Sequence, residues 1–215
     1  MDPAFWHQKW HNGELGFHLP QVHPLLQRYL GKLSLKAGQT LFLPLCGKTL
    51  DIGYLLEQGY SVIGAELSGK AVTDLFASLN RQPEISPWQG GKRYRQGDLT
   101  VFQGDIFLLT PDDLPAVDAI YDRAALIALP DTLRARYARH MQTLTHRARQ
   151  LLITLEYDQQ QMAGPPFSVD QEEVETRYGD HYRVTSLSRK MILDHEPVFR
   201  EKGLSALYEN AFLLD

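Results

Sequence analysis

One cysteine, Cys46, is all that the 215 residues contain, so no internal disulfide framework holds this chain together. No apolar run approaches the length that spans a bilayer. Residues 1–10 also lack the apolar core and small-residue cleavage site of a secretory leader. The cytoplasm is therefore the expected compartment, with no membrane partner. Basic charge is not in excess either: the formal net charge is −4, which argues against a nucleic-acid partner. Arg134, Arg136, Arg139, Arg147 and Arg149 read as the solvated face of a helix. His7 and His11 stand four apart, but no Glu follows His7 and no cysteines gather nearby, so no metal is expected. Repeats and low-complexity linkers are absent. One domain over residues 1–215 is expected, as a monomer, since no coiled-coil pattern or apolar edge points to a partner.

The first turn also lacks something. A dinucleotide fold needs Gly-x-Gly-x-x-Gly after its first strand, and only Gly47 is present there. Gly47-Lys48-Thr49 is not a phosphate loop, because Phe42 stands where its leading glycine belongs. A nicotinamide-dependent oxidoreductase is disfavoured on this ground.

What is present is a core-forming composition, 43% hydrophobic and 22% charged. Five short apolar runs, at 40–45, 61–66, 99–103, 117–121 and 151–155, have strand length and carry β-branched or aromatic residues. Helical patterns separate most of them. One runs over 51–58 and one follows a capping Ser68. A third spans 131–144, and a fourth starts at Ser168 with capping-box spacing and ends at Gly179. Strands alternating with helices imply parallel pairing, and thus an open, doubly wound α/β sheet with helices on both faces. Residues 182–187 and 205–212 read as two strands with a short connection, able to close the sheet with an antiparallel edge. Residues 1–35 form an extension that can cover the ligand edge as a lid. Residues 81–97, rich in Gly, Pro, Arg and Gln, read as a loop insertion.

In such a sheet ligands bind beyond the carboxyl ends of the strands. Glu66 ends the second strand, where a carboxylate can accept from both hydroxyls of a ribose; it can equally be a capping or solvated acid before Ser68. Asp105 and Ile106 suit an adenine, one accepting from the exocyclic amine and one packing on the ring. Gly-Asp is also ordinary turn chemistry. Arg123 can hold a carboxylate, or pair with Asp122 or another acid. Glu156 follows the fifth strand on the same edge. Cys46 has no His–acid partner and reads as a small, buried structural thiol. The aromatics Phe5, Trp6, Trp10 and Phe17 either pack as a helix and turn or wall a planar pocket.

Several runs together resemble one family. They are FWHQKW at 5–10 with GFH at 16–18, LPLCGK at 43–48, VIGAELS at 62–68 and YDRAAL at 121–126. In this order, over nearly the whole chain, they resemble thiopurine S-methyltransferases, and the bacterial members more closely. The resemblance implies a seven-stranded, mostly parallel sheet of the class I S-adenosylmethionine-dependent methyltransferase type. It implies S-adenosylmethionine as methyl donor and S-adenosylhomocysteine as product. Carried over by position, Trp10, Leu45, Glu66, Asp105, Ile106 and Arg123 would contact the cofactor, with Phe17 and Arg123 on the substrate side. The acceptor would be a small aromatic or heterocyclic thiol, attacked in line, with no catalytic residue assigned. Two other readings stay open: a selenium or tellurium species or other small nucleophile as acceptor, and a non-catalytic adenosine-binding module.

Overall fold

The structure is a computed structural model and describes residues 3–215; residues 1 and 2 of the expected extension lie outside them. Nine strands form one sheet: β1 (Thr40–Leu43), β2 (Ser61–Glu66), β3 (Glu84–Trp88), β4 (Gly91–Gln96), β5 (Leu99–Gly104), β6 (Ala119–Arg123), β7 (Arg149–Glu156), β8 (Val184–Met191) and β9 (Tyr208–Leu214). Their order is β3-β4-β5-β2-β1-β6-β7-β9-β8. β5, β2, β1, β6 and β7 run parallel, with Leu41 opposite both Val62 and Ala119. The helices are α1 (Pro3–Asn12), α2 (Pro24–Tyr29), α3 (Asp51–Glu57), α4 (Gly69–Ser78), α5 (Asp131–Leu144), α6 (Gln171–Tyr178) and α7 (Pro197–Glu201).

β1 is buried throughout and β2 nearly so, as parallel strands covered on both faces must be. Side chains alternate between the faces at every second residue. Leu41, Leu43, Val62, Tyr121, Leu151 and Ile153 pack with α2, α3 and α4. Phe42, Ile63, Ala65, Ile120 and Leu152 pack with α5 and α6. The α/β doubly wound class therefore stands. Among the described residues, no helix is long and apolar enough to cross a membrane.

Four readings of the sequence need correction. Residues 81–97 are not a loop: β3 and β4 form an antiparallel hairpin that adds two strands to the expected seven, with β4 paired to β5. Only Tyr94 of the hairpin is buried, and Pro87 is tolerated because β3 is an edge strand. The connection between β8 and β9 is longer than expected and carries α7. α6 is capped by Asp170, which accepts from the Glu173 N–H at 2.8 Å; Ser168 instead bonds the Tyr157 backbone. Within residues 1–35, α2 and the turn after it place Leu25, Leu26, Tyr29, Leu30 and Leu33 in the core, so only the part before α2 is free to cover a rim.

Candidate functional site

Parallel strands deliver the residues that follow them to one rim. Glu66, the last residue of β2, is only 6% exposed. Its Oε2 accepts the Gly47 N–H and its Oε1 accepts the Ser68 N–H, both at 2.7 Å. Each oxygen keeps a further acceptor position. Burial raises its pKa, and those backbone donors oppose the rise. The Ser68 hydroxyl in turn caps α4 by accepting from the Ala71 N–H at 3.3 Å, as expected. Glu66 thus ties the turn after β1 to the turn after β2.

The chain turns sharply at two points of this rim through left-handed residues other than glycine: Leu45 at φ +46° and Ala124 at φ +60°. Such geometry is costly, and it concentrates where a site demands it. Gly47 follows at φ +55°, and a methyl there would stand 3.1 Å from Trp10 Cζ2. The first turn and α1 are therefore packed directly together. Trp10 is buried and meets the Phe17 ring edge-on at 5.7 Å; Trp6 meets the same ring at 5.9 Å. The Phe17 carbonyl accepts from Arg123 Nη1 at 2.7 Å. Glu66, Gly47, Trp10, Phe17 and Arg123 form one unbroken series of contacts around the rim.

Asp105 and Ile106 follow β5. Glu66 is in register with Gln103, so they lie just beyond the end of β2, and Gln103 Nε2 donates to the Leu67 carbonyl at 3.0 Å. Asp105 is exposed and caps the short helical turn Ile106–Leu108 by accepting from the Phe107 N–H at 3.0 Å. Ile106 is buried. Leu45 is half-buried against the same core.

Sequence reasoning missed several neighbours. His18, beside Phe17, is held below its usual pKa by burial, then by Lys48 and Arg123. Three basic side chains therefore share this corner, and its only sequence signal was the GFH run. Asp51, read merely as the start of α3, is buried and accepts from the His23 N–H at 2.8 Å and from the Tyr121 hydroxyl at 3.1 Å. Asp122 does not face Arg123: its carboxylate accepts from the Tyr137 hydroxyl at 2.6 Å and the Leu126 N–H at 3.2 Å. Burial pushes its pKa up to about 6 against those bonds.

Two edge residues do other work. Cys46 is buried, its thiol pKa is raised by burial and by Glu66, and a methyl on Gly64 would stand 2.7 Å from its sulfur. It fills space against β2, in surroundings that disfavour the thiolate a nucleophile would need. Glu156 is held bidentately by Arg189 at 2.7 and 3.0 Å and lines a separate cavity of about 200 Å³ with Asp170 and Asn210. A cavity of about 350 Å³ lies at Thr40, Ser61 and Asp98, the opposite edge of the sheet. Among the described residues, no group of three or more His, Cys, Asp or Glu is placed to hold a metal ion.

Residues 1–215 match the thiopurine S-methyltransferase family. A thiopurine S-methyltransferase of Pseudomonas aeruginosa strain LESB58 is 46% identical over 216 residues, covering 100% of this chain and 99% of its own. Among solved structures, an S-adenosylmethionine-dependent methyltransferase from Anabaena variabilis superposes with a TM-score of 0.62 at 13% identity, covering 99% of this chain and 94% of its own. The 1,6-didemethyltoxoflavin N1-methyltransferase of Burkholderia thailandensis, solved with its substrate and S-adenosylhomocysteine, superposes at 0.60 with 14% identity, covering 99% and 86%.

Proposed function

The chain belongs to the thiopurine S-methyltransferase family, and on that premise we propose that it moves the methyl group of S-adenosylmethionine to an aromatic or heterocyclic thiol. The observation that carries this is the series of contacts from Glu66 through Gly47, Trp10 and Phe17 to Arg123. It supplies, side by side, the groups an adenosyl sulfonium needs.

Glu66 offers its remaining acceptor positions to a ribose, and it is already oriented by two backbone donors. Asp105 and Ile106 offer an acceptor and an apolar surface to adenine. Trp10 and Leu45 line the turn between them, and an indole face suits a cation. Arg123 has five N–H donors, of which one holds Phe17; the others can meet the carboxylate of the cofactor. Phe17 and Arg123 border the acceptor. The cofactor brings a methyl already activated by positive sulfur, so the chain need supply no nucleophile. The task of the protein is alignment and exclusion of water. Lys48 and Arg123 make the acceptor corner positive, beside a His18 ring kept uncharged, which favours the ionised form of a thiol. The enzyme on this reading works as a cytoplasmic monomer on a small molecule.

Calorimetric titration with S-adenosylmethionine, S-adenosylhomocysteine and NADH tests the cofactor. Saturable binding of the first two alone is expected; binding of NADH alone would remove the reading. Methyl transfer from labelled cofactor to a thiopurine, an aryl thiol, selenite and tellurite then sorts the acceptors. Turnover of the selenium or tellurium species alone would replace the thiol, and cofactor binding with no turnover of any would make this a binding module.

A further inference from the structure

We propose that His140 is a positioning residue for the adenine end of the cofactor site, acting through the Ile106 carbonyl; the inference rests on the cofactor reading above. His140 lies on α5, and its Nε2 meets the Ile106 carbonyl oxygen at 2.8 Å. A carbonyl only accepts, so Nε2 is the protonated nitrogen. Burial and the nearby Arg136 keep the ring below its usual pKa.

The bond adds to other ties of this segment: Ile106 and Leu109 are buried in the core, and Gln89 Nε2 donates to the Leu108 carbonyl at 2.9 Å. The Ile106 carbonyl also accepts the Leu109 N–H at 3.2 Å, which closes the helical turn, and Asp105 caps that turn from within. Neither contact fixes the turn to the rest of the molecule. α5 does so from two positions one helical turn apart, which share a face. Arg136 lays its guanidinium 4.0 Å from the centre of the Phe107 ring, and the His140 ring lies 5.4 Å from the same ring. Phe107 is thereby clamped while its neighbour's carbonyl is hydrogen-bonded. Tyr137, three residues before His140, bonds Asp122, the residue before Arg123. One helix therefore braces both ends of the rim: His140 the adenine end and Tyr137 the Arg123 end. Loss of the His140 donor frees only the first, so it should reach cofactor affinity and base discrimination and leave the methyl-transfer end in place.

The test uses the full chain with His140→Phe, which keeps a ring beside Phe107 and removes the donor, and His140→Gln, whose amide N–H replaces it. Calorimetry measures binding of S-adenosylhomocysteine and its inosine analogue, and turnover is measured at saturating cofactor. H140F should weaken S-adenosylhomocysteine binding roughly three- to tenfold, the scale of one neutral hydrogen bond, and narrow the preference for adenine over hypoxanthine. Its kcat should stay within about twofold of wild type, and H140Q should recover most of the affinity. Unchanged affinity in folded H140F overturns the inference. So does equal loss for both analogues together with loss of kcat, which is the signature of general destabilisation, and so does failure of H140Q to recover. If H140F does not fold, His140→Asn, whose amide stops short of the carbonyl, carries the same expectations. A wild-type chain that binds no S-adenosylhomocysteine overturns the cofactor reading and this inference with it; normal binding with indifference to His140 overturns this inference alone.

Discussion

Arg123 donates to the backbone carbonyl of Phe17 at 2.7 Å across 106 residues of sequence. The end of a central strand is thus latched to the segment that leads out of α1. The same guanidinium is our candidate for the cofactor carboxylate, so one side chain links cover and ligand. Arg123→Lys keeps the charge but offers a point donor where a fork is needed. We expect S-adenosylmethionine affinity to fall by about 1.5–3 kcal/mol, the range for a hydrogen bond to a charged group. Hydrogen exchange over residues 3–20 should quicken in the unliganded protein. Calorimetry and exchange mass spectrometry measure both, and an unchanged pair of values would separate Arg123 from the cover.

Gly47 is the second point where α1 meets the rim. Its φ of +55° disfavours any Cβ, and a Cβ would also press on Trp10 at 3.1 Å. Gly47→Ala should therefore cost about 1–2 kcal/mol of stability through backbone conformation and displace the indole. The displacement can be read from Trp10 emission in a chain whose other tryptophans, Trp6 and Trp88, are replaced by Phe. A red shift is expected, and an unshifted spectrum would show that the turn gives way instead of α1.

These contacts mark where sequence reading runs out. β1 and β2 were legible because strands buried on both faces are apolar along their length. The β3–β4 hairpin was not, since an edge hairpin with one buried residue carries almost no apolar signal and Pro87 reads as a breaker. Glu66 could be singled out because a strand end locates it. Its bond to Gly47 could not, since that depends on Leu45 turning left-handed. The Arg123–Phe17 latch follows no spacing rule, because only the tertiary fold brings a backbone carbonyl to a distant guanidinium. Asp122 shows the reverse error: adjacency suggested an ion pair with Arg123, but neighbouring strand residues point to opposite faces.

Glu66 uses both oxygens as acceptors for backbone N–H groups in a site 6% exposed. Glu66→Gln keeps the shape and removes one acceptor, setting an NH₂ against either the Gly47 or the Ser68 amide. We expect a stability loss of about 1–3 kcal/mol without any ligand, the cost of a buried donor left unpaired. Urea unfolding measures it. Equal midpoints for the two proteins would mean that the turns after β1 and β2 hold themselves, and Glu66 would then serve the ligand alone.

Asp122 makes the stability of the fold depend on pH. Its carboxyl is fully buried, and burial holds its pKa at about 6 in the folded chain against an ordinary 3.8. Between those values the folded state binds more protons than the unfolded state. Stability therefore falls as pH rises through that window, and the contribution is complete only below it. Asp122→Asn removes the titration. An Asn oxygen can still accept from the Leu126 N–H, and its amide can donate to the Tyr137 hydroxyl oxygen; Gln150, whose Nε2 meets Asp122 Oδ2 at 3.4 Å, can turn its amide over to present Oε1, which has no partner among the described residues. The variant should thus gain on wild type by about 1–3 kcal/mol as pH climbs from 4 to 7. Urea midpoints at intervals of half a pH unit would show the two curves diverging upward from pH 4 and running parallel above about pH 6.5. Parallel curves throughout would mean that the Tyr137 and Leu126 bonds already offset the burial of the charge, and that Asp122 is ionised over the whole range.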